Sequence, residues 1–290
     1  MERELFVLLI SILDTLPESR HRPAKARFTD RDIILVWLWA ALHDRPIDWA
    51  CKRQNWPWHD RKRPLPSGST MSRRLRTESV RRLGQRVLEA LRVPSTDPRP
   101  LLLMDGKPLP VSGISADRDV RYGRACGVMA RGYKLHSITD LAGNHRVFEV
   151  MPLNVNEVKV AKTLLARLPM TPNTRMLADG NYDCNSLYDL AAARGVQLIA
   201  ARRRKNARGM GHHHHSRHRL RAIRLRERNP SVLSRRRLIE GHFGTMGNVV
   251  GGLAPLPNHV RGLDRVSRWV TAKLIIDALH RLRRTPLRAA

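Results

Sequence analysis

Three acidic residues stand out in a chain that contains few acids. The sequence has 54 Lys plus Arg against 25 Asp plus Glu. Asp105 follows the apolar run LLLM, Asp179 follows TRMLA, and Glu240 lies in the arginine-rich segment SRRRLIE. A carboxylate at the end of a buried strand is unfavourable unless a positive group compensates it. Placed together, the three carboxylates would supply the oxygen ligands that hard divalent cations prefer.

Each of these acids also has an ordinary structural explanation. Asp105 could cap a turn, and Asp179 with the following glycine could form a strand-end turn. Glu240 could be an exposed helix acid paired with Arg236 or Arg237. Spacing alone leaves open whether the acids form a cation site or three unrelated features.

The overall charge indicates a polyanionic partner. The formal net charge is +29 and the sequence pI is about 11.6. An arginine-rich solvated surface would also give this balance, but the charges occur in clusters, which favours nucleic acid. The predicted DNA contacts are Arg73, Arg74, Lys134, Arg202, Arg203, Arg204, Arg235, Arg236 and Arg237.

Residues 1–95 have a helical pattern and are predicted to form a DNA-binding region. Leu5, Leu9 and Leu13 lie on one face of a first helix, and Thr29 is a suitable N-cap for a second. Five of the six tryptophans lie between Trp37 and Trp58. Core packing explains that cluster more simply than base stacking does.

Residues 96–290 are predicted to form one catalytic α/β domain. LLLMD, TRMLA and VQLIAARR are typical of strands, and LAGN is typical of a hairpin turn between two more. Helical segments alternate with these strands, which indicates a mixed sheet flanked by helices. Residues 202–230 show no apolar period, so we expect a basic loop or insertion.

Cysteine and histidine usage gives no strong metal or disulfide signal. The three cysteines form no CxxC pair and are read as buried or free thiols in a reducing compartment. The tract GHHHHSRH (211–218) could suggest a metal site, but ligand spacing favours a DNA-contacting loop. No apolar run is long enough to span a membrane, so we expect a soluble, cytoplasmic protein.

Four ordered blocks resemble bacterial insertion-sequence transposases with a DDE active site. They are MDGKPLPV, RGYKLHSITDLAGNHRVFEVMPLNVNEVKVAKTLL, LADGNYD and RRRLIEGHFGTMGN. The resemblance covers roughly residues 65–280. It matches Asp105 to the first acid after a hydrophobic strand, Asp179 to the acid of a D-G-x-Y turn, and Glu240 to the acid of an R-x-x-x-E helix.

The pattern departs from one large branch of this family at two positions. That branch has a tyrosine three residues before the motif arginine and a lysine seven residues after the glutamate. Leu233 and Gly247 occupy those positions. The C-terminal segment RGLDRVSRWVTAKLIIDAL is similar to a sister branch.

The resemblance implies a ribonuclease-H-like fold and a DNA transposase. The three acids would bind two Mg²⁺ ions, with Mn²⁺ as a substitute, to hydrolyse DNA at the element ends and join the 3′-OH to target DNA. The implied partner is double-stranded DNA, bound by a homodimer associated with the bacterial nucleoid. A catalytically silent DNA-binding remnant and a nuclease without strand transfer are the alternatives.

Overall fold

A computed structural model describes most of the chain. The described residues are 2–17, 27–57, 64–94, 100–125, 127–169, 172–202, 215–253 and 255–284. They fall into two compact units, one from residues 1–93 together with 246–290 and one from residues 94–245.

The first unit is helical in its described part. Thr29 caps the second helix through a capping box with Asp32, as the N-cap prediction required. The helices are α1 (Glu2–Thr15), α2 (Asp30–Leu42), α3 (Ile47–Ala50), α4 (Gly68–Arg74), α5 (Glu78–Ala90) and, at the C-terminus, α10 (Leu263–Arg284).

Helix α10 packs with the N-terminal helices, which differs from the predicted division at residue 95. It contacts α1, α2 and α5. Lys273 of α10 is fully buried and donates to the carbonyl of Ala41 at 2.5 Å, at the end of α2. Its ammonium also pairs with Asp44 at 2.7 Å. These contacts lie between distant parts of the sequence, so no local pattern could indicate them.

The tryptophan cluster is a packing feature, as predicted. Trp39 stacks on Trp56 with ring centroids 5.0 Å apart, and Phe6 of α1 meets Trp39 edge to face at 5.1 Å. The indole NH of Trp56 donates to the carbonyl of Ala50 at 2.6 Å. Trp58 lies outside the described residues.

The second unit contains a six-stranded mixed sheet. Strand β3 pairs antiparallel with β1, β2 and β4, whereas β1, β5 and β6 are parallel neighbours, giving the order β2-β3-β1-β5-β6 with β4 beside β3. The strands are β1 (Leu101–Pro110), β2 (Arg121–Ala125), β3 (Val128–Asp140), β4 (His145–Pro152), β5 (Thr174–Ala178) and β6 (Val196–Ala200).

Four helices accompany this part of the chain. Helices α6 and α7 pack on the sheet through an apolar cluster that includes Leu164, Leu165 and Leu187. Their bounds are α6 (Glu157–Arg167), α7 (Asn185–Ala193), α8 (Arg217–Arg228) and α9 (Arg237–Asn248). The predicted α/β architecture with an N-terminal helical region is confirmed.

Two predictions about these elements were wrong. Strand β1 does not end at Asp105 but continues to Pro110, where Gly106, Pro108 and Pro110 resemble a turn in sequence. Strand β2 was not predicted. Residues 217–228 form helix α8 rather than a loop. Its inward face carries arginines as well as Ala222 and Ile223, so hydrophobicity alone does not show the period.

No helix in the described ranges is both long enough and apolar enough to cross a membrane. Cys51 and Cys184 are free thiols, and Cys126 lies outside the described residues.

Candidate active site

Asp105 and Asp179 lie side by side on neighbouring parallel strands. Met104 of β1 is in register with Ala178 of β5, and each aspartate is the next residue of its chain segment. One Asp105 oxygen accepts the backbone N–H of Gly106 at 2.8 Å. Asp179 caps the 3₁₀ turn Gly180–Tyr182 and accepts the N–H of Asn181 at 2.9 Å. The sheet therefore brings together two acids that are far apart in sequence.

Arg236 connects the third acid to this pair. It ends the 3₁₀ segment Pro230–Arg236, one residue before α9. Its guanidinium donates to Glu240 at 2.8 Å and to Asp105 at 3.5 Å. The Glu240 side chain is 55% exposed, whereas the Asp105 side chain is 18% exposed. The ion pair of Glu240 with Arg236, foreseen as an alternative to catalysis, is thus present beside Asp105.

Burial disfavours the ionised form of both aspartates and raises their pKa values. The pKa of Asp105 is raised to about 6, with burial as the main cause. The hydrogen bond from the Gly106 N–H and the Arg236 charge lower this pKa, whereas the Asp179 charge raises it. Burial also raises the pKa of Asp179, and the negative charge of Glu157 adds to it. Carboxylates whose charge is disfavoured in this way gain most from an added cation.

Glu157, for which the sequence predicted no role in the site, belongs to this neighbourhood. It follows Asn156, the N-cap of α6, and forms an ion pair with Lys134 of β3. Both side chains are largely buried, 13% exposed for Lys134 and 19% for Glu157. The charge of Glu157 raises the pKa of both Asp105 and Asp179. Its first-turn position gave no local signal that it faced other acids.

The backbone next to Asp105 is closely approached by other side chains. A Cβ atom at Gly106 would lie 2.9 Å from Cδ of Lys134 and 3.5 Å from Nδ1 of His136. The Lys134 stem therefore lies directly against Gly106. His136 is 1% exposed, neither ring nitrogen has a hydrogen-bond partner in the described part of the chain, and burial lowers its pKa to about 4.

The side chains present fit a hard divalent cation in their chemistry. The donors are carboxylate oxygens, and those of Asp105 and Asp179 are close together, half-buried and opposed by the Arg236 guanidinium. Within the described residues, however, no three His, Cys, Asp or Glu side chains are grouped as metal ligands. Glu240 is held toward Arg236, so it would have to leave this ion pair to join Asp105 and Asp179 on one ion.

The predicted DNA-binding residues are placed differently from one another. Arg74 is buried and pairs with Asp30 at 2.5 Å, and Lys134 pairs with Glu157, so neither side chain is presented to solvent. A DNA contact by Arg74 or Lys134 would require the side chain to leave its ion pair, and both contacts stay predictions. Arg73, Arg235 and Arg237 are exposed, Arg202 and Arg236 are half-buried, and Arg203, Arg204 and residues 212–214 lie outside the described residues.

A mixed sheet with two aspartates at adjacent strand positions, and an acid from a following helix beside them, defines a ribonuclease-H-like domain. The sequence profile of the family described as "Transposase DDE domain" matches residues 96–276, more than half of the chain. The protein belongs to this family of DDE-domain transposases, which are enzymes that act on DNA. A comparison with curated proteins gave no match.

Proposed function

We propose that this transposase hydrolyses the phosphodiester bond at the ends of a mobile element with water. The freed 3′-OH then attacks a phosphodiester of the target DNA, forming a new bond to that phosphorus while the target strand leaves with its own 3′-OH. The observation that carries the proposal is the parallel pairing of Met104 with Ala178, which brings the next residues, Asp105 and Asp179, to the same end of the sheet. Arg236 joins Asp105 to Glu240 there. Three acids spread over more than a hundred residues of sequence thus reach one end of the sheet.

The residues of the chain have distinct tasks in this proposal. Asp105, Asp179 and Glu240 would hold the divalent cations, Mg²⁺ or Mn²⁺. When bound, the cations supply positive charge to the scissile phosphate and lower the pKa of an attacking hydroxyl. The Arg236 guanidinium pairs with two of the acids, Asp105 and Glu240, before DNA arrives, and it matches a phosphate in shape and charge. The buried strands exclude bulk water beneath these groups.

Two features of the proposal concern the assembly and its place in the cell. Two element ends have to be joined, so we propose that a homodimer acts on double-stranded DNA. The substrate is chromosomal, so we propose that the protein works in the bacterial cytoplasm in association with the nucleoid.

Cleavage of a labelled duplex that carries the element end tests the chemistry. We expect Asp105→Asn, Asp179→Asn and Glu240→Gln to bind this duplex but to lose Mg²⁺-dependent cleavage by at least about a hundredfold. Asp189→Asn is the matched control, because Asp189 is an exposed acid of α7. Cleaved ends that never join a second duplex would indicate a nuclease, and binding without any cleavage would indicate a DNA-binding remnant.

A further inference from the structure

Helix α8 presents a row of arginines that the candidate active site does not use. Arg217, Arg221, Arg224 and Arg228 are all exposed. They follow the spacing i, i+4, i+7, i+11, so they lie within about 60° of one another around the helix axis and extend for about 16 Å along it. We call these four residues the α8 arginine stripe.

The opposite face of α8 fixes the direction in which the stripe points. Ala222 and Ile223 are buried there. Arg219 makes a two-pronged ion pair with Asp183, with N–O distances of 2.9 and 2.8 Å, and the Asp183 side chain is only 3% exposed. Arg226 donates to the carbonyl of Ala200 at 3.3 Å. Arginines on one face therefore anchor the helix while those on the other face stay in solvent.

The C-terminal half of α8 lies at the same end of the sheet as the catalytic acids. Arg226 reaches Ala200, the last residue of β6. The next residue, Ala201, donates its N–H to Ala178 at 3.2 Å, and Ala178 immediately precedes Asp179. The stripe thus runs along the β6 edge and ends near the acids, where the chain continues to the exposed Arg235 and Arg237.

The N-terminal half of the stripe borders a cavity that is lined by one further arginine. The cavity has a volume of about 780 Å³ and is lined in part by Arg175, His218 and Arg221. Arg175 of β5 is exposed. Thr174, which also lines the cavity, is 1% exposed, and its hydroxyl has no hydrogen-bond partner among the described residues.

The stripe guanidiniums are available for an anion. In the described part of the chain, none of the four forms an ion pair with a carboxylate, and Glu227 is the only acid of α8. Guanidinium groups held in a line by a rigid helix match a regular row of phosphates better than a flexible segment does.

We propose that the α8 arginine stripe binds the phosphate backbone of duplex DNA next to the bond that is cleaved. The length of about 16 Å corresponds to about five base pairs at 3.4 Å for each. The position relative to the scissile bond rests on the proposed function, because Asp105 and Asp179 mark where cleavage occurs.

Salt-dependent binding of a labelled duplex that carries the element end tests this proposal. In Arg221→Gln/Arg224→Gln, we expect the slope of log affinity against log salt to fall by about 2 and the affinity to drop about tenfold at physiological salt. The matched control is Arg118→Gln/Arg124→Gln, which removes two exposed arginines at the opposite, β2 side of the sheet. The control should leave the slope unchanged, and Arg221→Lys/Arg224→Lys should restore most of the slope.

Each other outcome overturns the inference. Equal losses in the stripe and control variants would mean that only net charge matters. If Arg221→Gln/Arg224→Gln keeps the wild-type slope of log affinity against log salt, α8 does not contact the DNA backbone. If that variant also cleaves normally, the proposed function is unaffected. A loss of binding confined to duplex RNA would mean that the stripe binds RNA rather than DNA. Failure of the wild-type protein to bind or cleave any duplex would overturn the proposed function as well.

Discussion

Asp105 carries its charge at a position where burial opposes ionisation. Its pKa is raised from 3.8 to about 6, with burial as the main cause. The folded pKa thus lies above the unfolded one. The unfavourable contribution is therefore absent below about pH 4 and complete above about pH 6.

We expect Asp105→Asn to stabilise the metal-free protein at neutral pH while abolishing cleavage. The gain in unfolding free energy at about pH 7 should be on the order of 1 to 3 kcal/mol and should vanish near pH 4. Urea unfolding in the presence of a chelator measures it. Asp189→Asn, an exposed acid, should give no gain, and an Asp105→Asn variant less stable than wild type at neutral pH would contradict the argument.

The charges of Glu157 and Lys134 have opposite effects on the candidate active site. Glu157 raises the pKa of Asp179 and Lys134 lowers it, so both charges are felt there. We expect Glu157→Gln to raise the Mg²⁺ concentration for half-maximal cleavage by a few-fold to about tenfold, because the site attracts the cation less. Lys134→Met should lower that concentration, and the measurement is a Mg²⁺ titration of cleavage.

Glu149→Gln is the control for this pair. Glu149 forms an ion pair with Arg167, so its substitution removes the same charge from another ion pair of the sheet. Equal Mg²⁺ shifts for Glu149→Gln and Glu157→Gln would show that Glu157 has no special relation to Asp105 and Asp179.

At the scale of the elements, the turn after α2 provides an ion pair to the buried Lys273 of α10. Asp44 follows α2 in a left-handed conformation with φ 51°, and its carboxylate pairs with the fully buried Lys273 at 2.7 Å. Burial lowers the pKa of Lys273, while the Asp44 carboxylate opposes that change. Asp44 thus has a left-handed backbone conformation and also supplies the counter-charge of the buried Lys273.

Replacing Asp44 by Asn separates the charge from the backbone conformation, which asparagine tolerates. We expect Asp44→Asn to destabilise the protein by about 1 to 3 kcal/mol, because it leaves the Lys273 ammonium buried without its counter-charge. Thermal unfolding of Asp44→Asn, Lys273→Met and the double variant measures this. The double variant should be more stable than the sum of the single effects, and strict additivity would contradict the coupling.

At the scale of the whole molecule, the helical unit is assembled from both ends of the chain. Residues 1–93 and 246–290 group together, and α10 contributes inward side chains such as Trp269, Ile275 and Leu279. We expect a fragment of residues 1–93 to lack a cooperative thermal transition by circular dichroism, because α10 is then absent from the apolar faces of the N-terminal helices. Adding a peptide of residues 246–290 should restore the transition, and an unchanged melt of the short fragment would contradict the assembly.

The sequence by itself determined the features that depend on neighbouring residues. The Thr29 cap, the hairpin turn at Gly143 and the helix stop at Gly195 follow from local backbone preferences. The positions of Asp105 and Asp179 follow from the apolar strands before them. The ordered motif blocks identified the transposase family that the profile match then showed.

Only the tertiary structure decided which charges meet. Arg236 and Asp105 are 131 residues apart, Arg219 and Asp183 are 36 apart, and Lys134 and Glu157 are 23 apart. Such ion pairs have no periodicity in sequence, because they depend on which strands become neighbours and which helix face turns inward. The same reason explains why the ion pairs of Arg74 and Lys134 had no signal in the sequence and why residues 217–228 looked like a loop.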